Sequence, residues 1–332
     1  MSGVETIRVE TDEAGMRLDR WFKLHYPGLG FGRLQKLMRS GQVRVDGGRV
    51  RPSTRVAAGQ AVRVPPLQTG DKRMPPPLTR ATMRDRDDRD VLEANLLHED
   101  RHVLVFNKPA GLAVQGGSGV NRHVDGMLEA YRDKKGQKPR LVHRLDRETA
   151  GALVVARTRA AAAELGKAFK ARRTRKLYWA LVKGVPKPAD GRISTFLGRG
   201  EGDQSDRVIV VRHGDTGADH AVTQYALADQ AGQTLAWLVM QPVTGRTHQL
   251  RVHAAHIGHP IIGDPKYFDV ENWQLPGGIQ NRLHLLARRI VIPHPQGGML
   301  DVTAPLPPHM QQSWAVLAFD EAAGEAAAGR LR

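Results

Sequence analysis

The N-terminal part of the chain shows two helical patterns of apolar residues followed by an alternating pattern. Apolar residues recur at helical spacing twice between residues 16 and 40, which predicts two amphipathic helices. The two apolar faces are formed by Leu18, Trp21, Phe22, Leu34, Leu37 and Met38. After Gly41, apolar and polar positions alternate on both sides of the turn 46–48, which predicts a β-hairpin. This part therefore predicts a small independent domain that ends with a short strand at 62–64.

Residues 65 to 90 lack any periodic apolar pattern. Three prolines in a row stiffen the chain at 75–77, and residues 84–90 alternate arginine and aspartate without an apolar side chain. Such a segment cannot bury enough surface to fold, and we predict a flexible tether. The predicted division is a domain at 1–66, a flexible linker at 67–94 and a larger domain at 95–320. The Ala-, Gly- and Arg-rich residues 321–332 are predicted to form a disordered tail.

Short apolar runs that are typical of buried strands recur throughout the larger domain. They lie at residues 103–106, 152–156, 176–182, 208–211, 225–227, 235–240, 283–286 and 290–292. Between them, Thr158 is predicted to cap a helix that extends to about Ala171, and Thr247 to cap a second helix with Leu250 on its apolar face. The residues alone therefore predict a strand-rich α+β fold.

Charge and composition narrow the class of partner. Lys and Arg number 50 against 34 Asp and Glu, which gives a formal net charge of +16 and a pI near 10.5. This excess of positive charge favours a nucleic acid partner.

No apolar run reaches the roughly 20 residues of a spanning helix, and the first residues do not form a signal peptide. We expect a cytoplasmic protein without membrane association. The absence of cysteine excludes disulfides, thiolate metal sites and cysteine nucleophiles.

A short polar loop within residues 141–151 carries the most reactive combination of side chains. Asp146 lies between Arg144 and Arg147, and Gly151 then leads into the apolar run 152–156. Neighbouring cations favour the ionised carboxylate, so Asp146 is expected to be charged at neutral pH. A charged carboxylate beside arginines, at the mouth of a buried strand, is a candidate nucleophile in a site for an anionic substrate. The alternative is a structural Asp–Arg pair on a loop.

Two further features allow more than one interpretation. The glycine-rich run 115–119 lacks the Gly-Lys-Ser/Thr ending of a nucleotide-binding P-loop, so a tight turn or a close approach to an RNA backbone is favoured. Tyr178 lies on a predicted strand beside a basic cluster at 170–176. A strand aromatic usually belongs to the core, but this position also suits a residue that stacks on an RNA base.

A dense polar stretch at 241–259 raises the question of a metal site. Its histidines are His248, His253, His256 and His259. No Asp or Glu lies between Gln241 and Gly263, which favours structural or RNA-facing histidines over a zinc site, and we predict no metal. Arg246 and Arg251 are better candidates for a functional role, because the guanidinium fork binds both carboxylates and phosphates.

Basic residues of the N-terminal domain point to RNA. Arg33, Lys36 and Arg44 carry charge of one sign away from the apolar faces, which favours phosphate contacts over a merely solvated surface. The helix–helix–hairpin pattern resembles the S4 RNA-binding domain. The resemblance is carried by Arg17-Leu18-Asp19-Arg20 and by the run from Gly41 to Gly47.

Residues 95–320 resemble the RluA-type pseudouridine synthases. Four motifs carry the resemblance in order: Asn107-Lys108-Pro109-Ala110-Gly111, His143-Arg144-Leu145-Asp146, Lys176-Leu177-Tyr178 and Gly245-Arg246-Thr247-His248-Gln249-Leu250-Arg251. The runs 115–119 and 269–281 further resemble one branch of that family, the pseudouridine synthases C of the large ribosomal subunit. The resemblance implies an α+β catalytic domain on a bent, mixed and mostly antiparallel sheet, with a small α+β S4-like domain in front.

The resemblance also implies the roles of individual residues. Asp146 would be the catalytic carboxylate, Arg251 would pair with it, and Tyr178 would stack on the target base and assist removal of the C5 proton. The predicted RNA-binding residues are Arg144, Arg147, Arg246, His248 and Lys108 in the catalytic domain and Arg33, Lys36 and Arg44 in the S4-like domain.

The implied reaction is the isomerisation of specific uridines in RNA without any cofactor. The expected substrate is 23S rRNA or a large-subunit assembly intermediate, and the expected state is a monomer. Two alternatives stay open at this point: a tRNA-directed pseudouridine synthase, and a non-catalytic RNA-binding factor in ribosome assembly. The latter would retain the fold without needing Asp146.

Overall fold

The computed structural model describes residues 4–10, 13–26, 28–67, 83–117, 120, 122–133, 136–202, 205–269 and 276–331. The chain divides into two compact units, Met1–Arg86 and Asp87–Arg332. The division falls within the segment predicted as a linker, most of which (68–82) lies outside the described residues. No helix in the described part of the chain is both long enough and apolar enough to span a membrane.

The N-terminal unit contains the two helices and the hairpin that the apolar pattern predicts. Its elements are β1 (Glu5–Arg8), α1 (Leu18–His25), α2 (Phe31–Arg39), β2 (Arg44–Val45), β3 (Gly48–Arg49) and β4 (Ala61–Val64). The strands pair antiparallel in the order β1-β4-β2-β3. Asp46 and Gly47 in the hairpin turn both have positive φ, 48° and 78°, as a type I′ turn requires. Leu18, Trp21 and Phe22 are buried in one apolar core with Leu34 and Met38.

The last third of the predicted linker is folded, which corrects that prediction. Helix α3 spans Met83–Glu93. Leu92 on this helix is buried, and Asp88 forms an ion pair with Arg122 at 2.8 Å. One apolar contact and paired charges thus fix a segment whose composition alone indicated a tether. Helical structure therefore begins at Met83, eleven residues before the predicted boundary at 94.

The larger unit is built on one eleven-stranded sheet. Its strands are β5 (Leu96–Glu99), β6 (Val103–Lys108), β7 (Arg140–Leu141), β8 (Ala150–Ala156), β9 (Arg175–Lys183), β10 (Asp190–Arg199), β11 (Val208–Val211), β12 (Asp219–Ala231), β13 (Leu235–Pro242), β14 (Leu285–Pro293) and β15 (Met299–Thr303). The order is β11-β10-β12-β13-β9-β14-β8-β6-β5, with β15 on β14 and β7 on β8. Of the described pairings only β14–β8 is parallel. The predicted α+β class with a mixed, mostly antiparallel sheet is confirmed.

Five helices accompany the sheet. They are α4 (Val124–Met127), continued by a 3₁₀ turn at Leu128–Tyr131, then α5 (Arg159–Lys170), α6 (Gln249–His256), α7 (Pro308–Leu317) and α8 (Glu321–Arg330). The hydroxyl of Thr158 accepts from the amide of Ala161 at 3.1 Å, so the predicted cap of α5 is confirmed. Thr247 does not cap α6, because the capping residue is His248, in a left-handed conformation with φ 53°.

The C-terminal residues form a packed helix, so the predicted disordered tail is wrong. Gly324 of α8 lies against Trp237 and Trp179 so closely that an added Cβ would come within 2.4 Å of the first ring and 2.6 Å of the second. Arg175 donates to the carbonyl oxygens of Ala328 and Leu331 and thereby closes the end of the helix. The small side chains that indicate disorder by composition are the ones that allow this contact.

Side-chain alternation along β9 separates the apolar core from the site. Leu177 and Trp179 point into the largest apolar cluster, where Trp179 packs against Trp237 with ring centroids 4.6 Å apart. Tyr178 and Lys176 therefore point to the opposite face of the sheet. That face carries the cleft described next.

Candidate active site

A cleft of about 420 Å³ lies on the face of the sheet to which Tyr178 points. It is lined by the loop before β8, the start of β9 with the preceding end of α5, and the connection from β13 into α6. Six of the predicted site residues meet in it: Arg144, Asp146, Tyr178, Arg246, His248 and Arg251. Among the described lining residues the only carboxylate is Asp146, and the cations are Arg144, Lys170, Arg172, Lys176, Arg246 and Arg251. Such a cleft suits a polyanion.

Gly151 brings the loop that carries Asp146 to the middle of the sheet. Its φ is 111°, and an added Cβ would lie 2.3 Å from the carbonyl oxygen of Ala287 on β14. Any side chain at this position would force β8 and β14 apart. Because Ala287 pairs on its other side with Tyr178 of β9, this close contact also sets the separation between the Asp146 loop and Tyr178.

A buried arginine links Asp146 to a second carboxylate. Nη1 of Arg251 lies 3.6 Å from Oδ2 of Asp146, while Nε and Nη2 donate to the two oxygens of Asp264, each at 2.7 Å. The side chain of Arg251 is 4% exposed, that of Asp264 is not exposed, and that of Asp146 is 20% exposed. Arg251 is therefore anchored by Asp264 and presents its remaining nitrogen to the accessible carboxylate.

Asp264 was not found from the sequence. No carboxylate lies between Gln241 and Gly263, and Asp264 is the next residue along the chain. Gly263 has φ 68°, and an added Cβ would lie 2.1 Å from the carbonyl oxygen of Arg282. Asp264 also accepts from the amides of Lys266 and Tyr267, at 2.9 and 3.2 Å. The available signal was the Gly-Asp pair at 263–264, because it suits a tight turn that presents a carboxylate.

Tyr178 lies on β9 between Met240 of β13 and Ala287 of β14. Burial and, second, the negative charge of Asp146 raise the pKa of its hydroxyl well above the usual value. The phenol is therefore protonated at neutral pH. Its ring is partly buried beside two apolar clusters and lines the cleft, where it offers a flat face to a bound group.

His248 is held by Tyr267 at the edge of the cleft. Its Nδ1 lies 2.9 Å from the Tyr267 hydroxyl, which also accepts from the amide of Val208 at 3.0 Å. The guanidinium of Arg251 lies over the Tyr267 ring, 5.2 Å from its centroid. Burial lowers the pKa of His248 and the charge of Asp146 partly opposes this, so the imidazole is neutral at neutral pH.

Two other histidines of this stretch, His253 and His259, serve the fold. His253 is buried between the hydroxyls of Thr195 and Thr223, at 2.9 and 2.8 Å, and burial lowers its pKa to about 4. His259 contacts the carbonyl oxygen of Lys183 at 2.9 Å. Within the described ranges, no group of three His, Asp or Glu side chains could hold a metal ion.

Lys108 does not reach the cleft surface, which corrects its prediction as an RNA contact. It is 1% exposed, and its ammonium group donates to the carbonyl oxygens of Pro109, Leu112 and Arg147, each at 2.9 Å. Burial lowers the pKa of Lys108 to about 7, although the charges of Glu148 and Asp146 oppose this. The residue fastens the 107–112 segment to the loop that carries Asp146.

Replacing Lys108 by methionine is therefore expected to destabilise the larger unit. The carbonyl oxygen of Leu112 would lose the ammonium donor, while those of Arg147 and Pro109 would keep the amides of Gly111 and Leu112. We therefore expect a loss of about 1–3 kcal/mol. Denaturant unfolding measures this directly. The folded fraction of the variant should bind RNA with unchanged affinity, whereas weaker binding at unchanged stability would restore Lys108 as an RNA contact.

The remaining predicted RNA contacts differ in position. Arg144 and Arg246 are exposed at the cleft, where Arg246 pairs with Asp219 at 3.2 Å. Arg147 is exposed outside the described lining of the cleft, 3.5 Å from Glu148. In the N-terminal unit Arg33 and Lys36 are exposed on α2.

Arg44 is used inside the N-terminal hairpin, which revises its prediction as an RNA contact. Its guanidinium donates to the carbonyl oxygens of Gly41 and Gly47, at 3.1 and 3.0 Å. The side chain therefore stabilises the turn.

Two runs indicated a branch of the family, 115–119 and 269–281. Residues 118–119 and 270–275 of these runs lie outside the described part of the chain.

Comparisons with known proteins agree with the geometry of the site. The sequence profile described as RNA pseudouridylate synthase matches residues 102–256. The ribosomal large subunit pseudouridine synthase C of Pasteurella multocida is 35% identical over 317 residues, which cover 93% of this chain and 92% of that protein. Its namesake from Escherichia coli K12 is 33% identical over 312 residues, covering 91% and 93%.

A solved structure extends the agreement to the fold. The human protein RNA pseudouridylate synthase domain containing 4 superposes with a TM-score of 0.61 at 28% identity, over 72% of this chain and 98% of that one. Relatives at 33–35% identity match along nearly the whole chain, and the profile covers the segments that carry Asp146, Tyr178 and Arg251. The chain therefore belongs to the RluA-type family of RNA pseudouridine synthases, and it is an isomerase that acts on uridine in RNA.

Proposed function

We propose that this enzyme converts specific uridines of large-subunit ribosomal RNA (23S rRNA, free or in an assembly intermediate) to pseudouridine, with Asp146 as the catalytic carboxylate. The observation that carries the proposal is the placement of Asp146. Its carboxylate is partly exposed in a basic cleft, 3.6 Å from an anchored guanidinium and on the same side of the sheet as Tyr178. A charged carboxylate in a cleft that suits an anionic polymer can attack or stabilise the reacting nucleoside.

The reaction requires neither an oxidant nor an energy source. The N-glycosidic bond of uridine breaks and a carbon–carbon bond to the same base forms, with no net redox change. The protein must therefore supply a nucleophile or charge stabilisation, a route for the C5 proton and a surface that retains the detached base. Asp146 supplies the nucleophile or charge stabilisation, and the guanidinium of Arg251 at 3.6 Å orients its carboxylate. No step in this scheme calls for a cofactor.

Tyr178 is assigned to retaining the base. Its ring faces the cleft, and its raised pKa keeps the hydroxyl protonated at neutral pH, which favours stacking and hydrogen-bond donation over proton abstraction. Stacking on an aromatic ring contributes about 1–3 kcal/mol per base. A base that is held on Tyr178 can turn in place beside Asp146, so that C5 replaces N1 at the sugar.

The cleft requires the target nucleotide to leave its helix. Asp146 and Tyr178 lie within a cavity of about 420 Å³, which accommodates a single extruded nucleotide but no base-paired helix. The enzyme therefore acts on uridines in loops or flips them out of the stack, at a cost of about a few kcal/mol that is smallest for unpaired bases. The cationic rim, with Arg144 and Arg246, is placed to hold the flanking phosphates.

Ribosomal RNA is favoured over tRNA as the substrate by the relatives and by the N-terminal unit. Two bacterial relatives that match nearly the whole chain carry the name ribosomal large subunit pseudouridine synthase C. The separate N-terminal unit, with the S4-like pattern and exposed Arg33 and Lys36, offers a second contact with RNA. Such a contact raises the local concentration of a large folded RNA without adding to the catalytic cleft.

Loss of this protein from its host is expected to remove pseudouridines from 23S rRNA, at more than one position in single-stranded segments. Mapping of pseudouridines across rRNA and tRNA in a deletion strain measures this. Wild-type protein should restore the lost positions, and Asp146→Ala should not. An unchanged 23S profile together with the loss of a tRNA pseudouridine would refute the ribosomal substrate and leave the enzyme class intact.

A further inference from the structure

Lys176 is a cation in the cleft that no described residue neutralises. It lies at the start of β9, and its ammonium group would be 3.7 Å from a Cβ added at Gly245 in the loop before α6. Within the described part of the chain it has neither a hydrogen-bond acceptor nor a carboxylate at ion-pair distance. Its titratable neighbour is His143, whose pKa is lowered to about 3 by burial and then by the charge of Lys176, so the imidazole is neutral at neutral pH.

Two more deeply buried cations of this unit have hydrogen-bond partners within the protein. Lys108 donates to three carbonyl oxygens, and Arg251 binds Asp264 through two hydrogen bonds. Burying a charge without a partner is costly, and such a group otherwise sheds its proton. Burial indeed lowers the pKa of Lys176. An ammonium group in this position therefore suits an anionic ligand, which would supply the missing ion-pair partner when it binds.

The position of Lys176 relative to Tyr178 indicates which anion that is. Both side chains point to the same face of β9, two residues apart, which corresponds to about 6.7 Å along a strand. This separation is comparable with that between the base and the phosphate of one nucleotide. We propose that Lys176 binds a backbone phosphate next to the target uridine while the uracil lies on Tyr178. This placement rests on the proposed role of Tyr178.

Two exposed cations line the same cleft as Lys176. Lys170 lies at the end of α5 and Arg172, with φ 55°, in the following turn, and both line the cleft. These side chains are solvated, so each contributes little to a single phosphate contact. Lys176 is the partly buried member of the group, and it fixes the position of one phosphate instead of attracting the RNA at long range.

Replacing Lys176 by methionine is expected to lower kcat/KM about 10- to 100-fold, as the loss of one charge-assisted hydrogen bond implies. The matched control is Lys167→Met, an exposed lysine of α5 outside the described lining of the cleft, for which we expect a decrease of at most about threefold. The melting temperature of Lys176→Met should equal or exceed that of the wild type, because the change removes a partly buried charge that has no partner among the described residues. A lower melting temperature would indicate a structural role and contradict the proposal.

A substrate analogue tests the contact itself. The probe is a short RNA with a uridine that wild-type enzyme converts, of whichever RNA class, and with a neutral methylphosphonate in place of the phosphate 5′ or 3′ of that uridine. At one of the two positions the replacement should weaken wild-type binding about 10- to 100-fold and should leave the binding of Lys176→Met almost unchanged.

The outcomes separate this inference from the proposed function. If both methylphosphonates weaken Lys176→Met as much as the wild type, Lys176 binds no flanking phosphate and the inference fails. If Lys176→Met loses activity without such coupling, its contact is with the base or sugar, and the inference fails again. A target in tRNA, or full activity of Asp146→Asn, would overturn the proposed function and leave the measured coupling valid.

Discussion

Replacing Asp146 by asparagine is expected to lower the rate of pseudouridine formation by at least about 10³-fold under single-turnover conditions. The amide has nearly the shape of the carboxylate and lacks its reactive charge. RNA affinity should stay equal to that of the wild type or rise slightly, because the change removes the only carboxylate from the described lining of a cationic cleft. Single-turnover kinetics and equilibrium binding to the same RNA measure the two quantities separately.

Glu148→Gln is the matched control, because it removes a carboxylate from the same loop. Glu148 pairs with the exposed Arg147 at 3.5 Å and does not belong to the described lining of the cleft. Its replacement should change turnover by less than about threefold, as expected for a surface ion pair. Near-normal turnover of Asp146→Asn would show that another group starts the reaction, and equal losses in the two variants would indicate damage to the loop.

The sequence predicted those parts of the site whose signals are local. The loop around Asp146 lies between two apolar runs, and the strand that carries Tyr178 shows a simple alternation. The hairpin turn at Asp46-Gly47 and the capping threonine of α5 are likewise set by neighbours within a few residues. What brings Asp146, Tyr178 and Arg251 together is the order of strands in the sheet. Only the resemblance to a known family anticipated that proximity.

Burial of individual charges could not be read from the sequence. Lys108 belongs to a polar motif and has the composition of a surface residue, but the fold closes three carbonyl oxygens around it. Asp264 follows a glycine in what resembles an ordinary turn, and its importance depends on Arg251, thirteen residues earlier and on another element. For both residues, tertiary contacts decide which groups they bind, and the apolar pattern of the sequence does not predict those contacts.

Amino-acid composition likewise failed to predict the C-terminal helix α8. An Ala- and Gly-rich segment has few large apolar side chains, which is the usual sign of disorder. In α8 those small side chains let the helix approach Trp179 and Trp237 closely, and Ala327 is fully buried. The large apolar surface in this contact belongs to the sheet. A segment can therefore fold with little apolar surface of its own when its neighbours supply it.

Replacing Asp264 by asparagine is expected to lower the free energy of unfolding of the larger unit by about 3–5 kcal/mol, the usual loss when one partner of a buried ion pair is removed. The asparagine oxygen can still accept from the amides of Lys266 and Tyr267, so the turn itself is retained. Its amide nitrogen would face Nε of Arg251, so the guanidinium would lose the ion pair and one of its two hydrogen bonds to residue 264. Denaturant unfolding and single-turnover activity are both measured.

The double variant Asp264→Asn/Arg251→Met separates stability from catalysis. Removing the guanidinium as well leaves no uncompensated buried charge, and the double variant should regain a large part of the stability that Asp264→Asn loses. Its activity should stay as low as that of Asp264→Asn or fall further, because Asp146 then has no cation at 3.6 Å to orient it. Wild-type stability and turnover in Asp264→Asn would mean that Arg251 needs no anchor. Recovery of activity in the double variant would mean that Asp146 functions without Arg251.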